Sequence, residues 1–223
     1  MAIGEVLQGP ETPLSAEQQE DTLRKLQTAF MEAQPSRPFV LSLPIDGLNR
    51  IHVTSQWNNL KEYHEFANSP GYDSFNIKMG EALGEGHSIF HVDLNHPILG
   101  SGGAGTSNVT EFVQIYFPTS QATTELRRHV EAEFVKFDEI VTQEAKGNGG
   151  LTFGWTLEDQ KHKDIEGENA ECFFVARGWE SMEHFQALVK TKAYERAIPL
   201  MMGLNAPFKM VRAPWSRGTI GIN

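Results

Sequence analysis

Three of the eight histidines, His52, His87 and His91, lie in short segments that alternate in the manner of β-strands. In RIHVTSQW (50–57), Ile51 and Val53 point one way and His52, Thr54 and Gln56 the other, because successive strand side chains face opposite sides. In HSIFHVDL (87–94), Phe90 and Val92 oppose His87, Ile89, His91 and Asp93. An imidazole exchanges protons near neutral pH, so His52 and His91 are candidate general bases. His87 stands at a strand start and reads as a loop residue. The same alternation in EFVQIYF (111–117) puts Gln114 and Tyr116 on one face. An amide and a phenol of that kind suit the stabilisation of a developing enolate. Thr152, Thr156, Phe174 and Lys209 occupy comparable positions on later strands. His52, His91 and Asp93 are also conceivable metal ligands. No helical His-x-x-x-His and no Cys-x-x-Cys spacing supports a metal site, so the expected chemistry needs neither metal nor cofactor.

The elements that must position these residues come in two copies. At an offset of 122, Val53 recurs as Val175, Trp57 as Trp179, Tyr72 as Tyr194 and Met79 as Met201. Apolar character holds between them: Ile51 with Phe173, Leu60 with Met182, Tyr63 with Phe185, Phe66 with Leu188. Trp and Tyr occur four times each, so two Trp-to-Tyr spacings of fifteen mark a duplication. In the second half, a strand (111–117) is followed by a long helix with the apolar stripe Leu126, Val130, Phe134, Phe137 and Val141. Gly147 to Gly150 are expected to stop that helix. Strands 151–157 and 171–179 flank a charged loop, Ser181 caps a second helix, and a strand at 207–212 closes the half. The first half repeats this order. Ser15 and Gln18 form a capping-box pattern before a helix with Leu23, Leu26 and Phe30 inside. Strands at 39–43 and 50–57 follow, then a helix broken near Pro70, and a strand at 87–94. The opening strand is placed at GEVLQ. Strand-helix-strand-strand-helix-strand is the ferredoxin-like plan. The expected division is residues 1–95, a Gly/Pro-rich linker 96–108, and residues 109–223. Inside the linker, Gly100 to Gly105 match G-x-G-x-x-G, but they lead into a strand, whereas a dinucleotide site needs a helix N-terminus there.

Totals exclude several classes. A formal charge of −10 with scattered Lys and Arg argues against a nucleic-acid partner. No run of about 18 apolar residues could span a bilayer, and the N-terminus lacks a signal pattern. The single cysteine, Cys172, sits in an apolar run and reads as a buried strand residue. The cytosol is the expected compartment. His64, His129, His162 and His184 fall on helices or in the charged loop (158–169) and are expected to face solvent.

The segment WNNLKEYHEFANSPGYDSF (57–75) and its echo WESMEHFQALVKTKAYERA (179–197) resemble the signature helix of the dimeric α+β barrel superfamily. That group includes antibiotic-biosynthesis monooxygenase domains, polyketide cyclases and stress-responsive barrel proteins. The second copy has Thr191-Lys192-Ala193-Tyr194 in place of the Ser-Pro break. The resemblance implies two ferredoxin-like sheets facing each other as an intramolecular dimer, with ligands inside the barrel. Apolar residues should then face the helices and polar ones the barrel. His52 and His91 would share a wall as bases, with Tyr116 and Gln114 opposite. Gln114, Tyr72, Phe174, Thr54 and Lys209 would contact a hydrophobic, aromatic or polyketide-like substrate undergoing cyclisation, isomerisation or monooxygenation. Because Phe174 replaces His52 at the repeat offset, acid-base work is expected in the first half and binding in the second. The rival class is a non-catalytic small-molecule-binding or stress-responsive barrel protein. Fold alone does not choose between them.

Overall fold

The computed structural model describes residues 2–9, 14–33, 37–43, 51–85 and 87–214. Its first repeat comprises β1 (Ala2–Gln8), α1 (Ala16–Ala33), β2 (Phe39–Ser42), β3 (His52–Trp57), α2 (Leu60–Ala67), α3 (Pro70–Leu83) and β4 (Ser88–Leu94). The second comprises β5 (Val109–Pro118), α4 (Thr124–Val141), β6 (Asn148–Thr156), β7 (Ala170–Trp179), α5 (Met182–Leu188), α6 (Lys192–Met202) and β8 (Phe208–Pro214). Helix starts follow local chemistry. Ser15 and Gln18 make reciprocal bonds, the Gln18 backbone N–H to Ser15 Oγ and the Ser15 N–H to Gln18 Oε1. Asn59, Thr123 and Thr191 each accept a backbone N–H three residues on. Ser181 stands at the expected N-cap of α5, yet its hydroxyl lies 3.3 Å from His184 Nδ1 and makes no backbone cap. Helix α4 ends at Val141, before the glycines expected to stop it, and Gly149 and Gly150 belong to β6.

All strand pairings are antiparallel, and the sheet runs β2-β3-β1-β4-β6-β7-β5-β8. Each repeat thus has the same internal order, and β4 joins β6 across the repeats through Val92–Thr156, Asp93–Trp155 and Leu94–Gly154. The join needs Gly154, where a Cβ would overlap the Asp93 carbonyl oxygen. The sheets curl over one another so that their inner faces share a core: Val6, Val40, Phe90, Val92 and Leu94 pack with Phe112, Phe174, Ala176, Val211 and Ala213. The outer faces are covered by helices, α1 and α3 over the first repeat and α4 to α6 over the second. The expected linker is a packed element. Ile98, Leu99 and Ala104 are buried in the inter-sheet core, and a 3₁₀ turn at Ala104–Thr106 precedes β5. Among the described residues, no helix is long and apolar enough to cross a membrane.

Candidate functional site

The residues expected to form one barrel wall lie on two faces. His52 is on the inner face, fully buried and stacked on Phe112 with ring centroids 4.1 Å apart. Thr54, Gln114, Phe174 and Lys209 share that face. There Lys209 Nζ donates to Gln8 Oε1 (2.9 Å) and Gln8 Nε2 to Gln114 Oε1 (3.0 Å). Tyr116 packs on Cys172 and Ala170, with its ring 4.6 Å from that of His162, which is consequently mostly covered and not the solvent-facing residue expected. His91 and Asp93 are on the outer face, because Phe90, Val92 and Leu94 take the inner positions of β4. Expecting polar residues inside reversed this strand: both faces of the sheet are covered, so polarity alone does not mark the inner one. Tyr72 is also outside, on α3 against Phe66. His52 and His91 therefore do not converge, and aromatic and aliphatic side chains fill much of the interior assigned to substrate.

The outer faces hold a matched pair of buried carboxylates that the sequence reading passed over. Glu5 of β1 lies between Ser55 and His91 in register, and Glu111 of β5 between Arg177 and Arg212. In both repeats the tryptophan ending the third strand donates its indole N–H to this carboxylate, Trp57 to Glu5 (3.1 Å) and Trp179 to Glu111 (3.4 Å). Glu5 also accepts from Ser55 Oγ (2.8 Å), and His91 Nε2 lies 3.2 Å from it. Arg212 Nε lies 3.5 Å from Glu111, its guanidinium stacks over Phe185, and Arg177 is ion-paired with Asp138.

Above Glu111 the structure leaves space. A cavity of about 110 Å³ lies between the second sheet and α4 to α6. Its wall is almost wholly apolar, with Val113, Ile115, Phe134, Val175 and Leu188 among its residues, and its polar members are Glu111, Arg177, Trp179 and Tyr194. Strand register orders it lengthwise. Glu111, Arg177 and Arg212 share one level, and Phe208 pairs with Ile115 four residues along, about 13 Å away at ~3.3 Å per residue. At that far level Met202 and Phe208 are more than half exposed and mark the mouth.

The repeat explains where this space comes from. α2 and α5 begin 122 residues apart, as do α3 and α6. Above Glu5 the rings of Tyr63, Phe66, Phe75 and Phe30 fill the equivalent volume, with Phe66–Phe75 at 5.5 Å and Phe30–Phe75 at 5.2 Å. At the same offset Phe66 becomes Leu188 and Phe75 becomes Ala197.

Burial pushes the Glu111 carboxyl up from the usual range, opposed by Arg212, Trp179 and Arg177. Burial likewise lowers Arg177 to about 10, and Glu111 partly restores it. Tyr194 is raised by burial and by the Glu111 charge. The wall contains no imidazole or thiol, and its volume is far short of a flavin or a haem. Among the described residues, no cluster of three His, Cys, Asp or Glu could hold a metal ion.

No protein-family model matches this chain. No curated protein matches it significantly. Solved structures do match over its length. An anthrone oxidase-like protein superposes with a TM-score of 0.64 at 10% identity, covering 97% of this chain and 92% of the other. A candidate monooxygenase of Lactobacillus acidophilus gives 0.56 at 11%, covering 100% and 99%. A variant of chlorite dismutase from Candidatus Nitrospira defluvii gives 0.53 at 12%, covering 97% and 92%. The chain thus has the dimeric α+β barrel fold, built as a tandem of two ferredoxin-like repeats. At these identities the likeness is one of fold.

Proposed function

We propose that the cavity of the second repeat is the active site of an enzyme that removes a proton from a hydrophobic small molecule. The observation that carries this reading is a buried carboxylate, Glu111, at the closed end of an apolar cavity. Glu111 would be the base, since burial moves its pKa toward the working range of a general base. Arg177 would face the enolate oxygen as charge develops, and Trp179 would hold the carboxylate in place. The base thereby moves from His52 and His91 to Glu111, and from the first repeat to the second. A carbanion formed here could cyclise or react directly with dioxygen, the latter in keeping with the monooxygenase descriptions of structural neighbours. The Arg212–Glu111 ion pair supports a second reading, a binding protein whose carboxylate only anchors a ligand.

The test is solvent-deuterium exchange into uncharged monocyclic carbon acids such as cyclohexanone and phenylacetone, with oxygen uptake followed in parallel. Glu111→Gln should lower exchange about a hundredfold or more, the usual scale for a general base, while ligand binding persists. Exchange at the parent rate in Glu111→Gln would overturn the assignment. Binding with no catalysed exchange would favour the second reading.

A further inference from the structure

We infer that this cavity selects an uncharged molecule whose inserted part is a single ring, and that Leu188 and Ala197 set that limit. The inference rests on the cavity being the ligand site.

Size comes first. An apolar cavity of roughly 150 Å³ holds one benzene ring, and the space here is about 110 Å³. One ring fits with slight adjustment of Met201 and Met210, which line it and are flexible. A fused second ring would have to remain at the mouth between Met202 and Phe208. The first repeat shows what sets the limit, because Phe75, buried, and Phe66, partly buried, occupy the corresponding volume there. Leu188 lines the cavity, and Ala197 is fully buried on α6 nearby. Exchanging two phenylalanines for a leucine and an alanine removes about one ring's worth of side chain.

Charge comes second. With Glu111 ionised, as a base must be, the polar end is balanced: Glu111 faces Arg212, and Arg177 is paired with Asp138. A carboxylate entering this end would lie against Glu111 while the nearest guanidinium is already engaged. An ammonium group would lie against Arg177 and compete with Arg212. Either ion would lose hydration without a free counter-charge, which costs several kcal/mol in a buried site. A neutral head avoids this. A hydroxyl can donate to Glu111 and accept from Arg177, and the ring then lies along Val113, Val175 and Leu188.

The test uses fluorine NMR titrations at pH 7 with four probes: 4-fluorophenol, 4-fluorobenzoate, 4-fluorobenzylamine and 6-fluoro-2-naphthol. The phenol should bind, and the other three at least tenfold more weakly. Leu188→Phe should weaken the phenol at least tenfold with little change in melting temperature, whereas Leu188→Ala should improve the naphthol relative to the phenol. Should Leu188→Phe misfold, Leu188→Ala decides alone. Benzoate or benzylamine binding as well as the phenol would overturn the charge rule, and naphthol doing so in the parent protein would overturn the size rule. Both results would leave the cavity as the ligand site. No binding by any probe, or phenol binding indifferent to both Leu188 variants, would remove the cavity as the site, and both readings with it.

Discussion

Raising the pH from 6 to 9.5 should loosen the joint between the repeats through one imidazole. His91 of β4 is almost fully buried, with a carboxylate at each ring nitrogen. Glu158, immediately beyond β6 in the second repeat, accepts from the His91 backbone N–H at 2.7 Å and lies 2.6 Å from Nδ1. Glu5 of the first repeat lies 3.2 Å from Nε2, and the Tyr63 ring of α2 packs at a tilt with its centroid 4.0 Å away. Burial pulls the His91 pKa down, but the hydrogen bonds its ring donates to Glu158 and Glu5, with their charges, outweigh it and hold the imidazole up at about 9. In the unfolded chain an ordinary histidine titrates near 6.5. The protonated ring therefore contributes stability that is fully present below pH ~6.5 and lost as pH rises through about 9. At ~1.4 kcal/mol per pKa unit the ceiling is of the order of 3 kcal/mol. Glu158 is two-fifths exposed and partly screened, which brings the expectation to about 2 kcal/mol. Urea denaturation at pH 6, 7.5 and 9.5 measures this, with His91→Gln as the reference that cancels every other titrating group. Parent stability should fall by about 2 kcal/mol more than that of the variant. Parallel curves would refute the argument.

Two further outcomes separate the inner face from the outer. Phe174→Ala empties a fully buried position between Phe90 and Phe112 and should cost about 3–5 kcal/mol by denaturant titration, yet leave 4-fluorophenol affinity within about twofold. Gly154→Ala drives a methyl into the Asp93 carbonyl and should lower stability by more than about 2 kcal/mol, with faster amide exchange along β4 and β6.

Much of the architecture was legible because it rests on local rules repeated twice. The 122-residue offset aligns the starts of α2 with α5 and of α3 with α6, and Ser15 with Gln18 marked the start of α1 through a bond pattern that actually forms. The alternation of strand side chains was also read correctly, but not which face was inner. Alternation distinguishes buried from exposed only when one face is wet. Here both faces of each sheet are covered, so a polar residue marks neither. His52 and His91 look alike in the sequence and end on opposite sides.

What escaped was the meaning of a charge set among apolar residues of the same face. Glu5 stands between Ile3 and Leu7, Glu111 between Val109 and Val113, and Arg177 between Val175 and Trp179. A charge at such a position must be buried beneath a helix, and a buried charge must be paired. The repeat made this visible in outline, because Trp57 and Trp179 recur. Their recurrence marks the duplication, and each indole also holds a buried carboxylate. Packing and site are here the same residues. The choice of repeat was harder still, because it depends on volume. A histidine against a phenylalanine, His52 against Phe174, pointed to the first repeat for chemistry. The decisive differences are Phe66 against Leu188 and Phe75 against Ala197, apolar exchanges that alternation and charge patterns pass over. Both repeats carry the polar floor, and in the second repeat, where smaller side chains replace two rings, there is space above it.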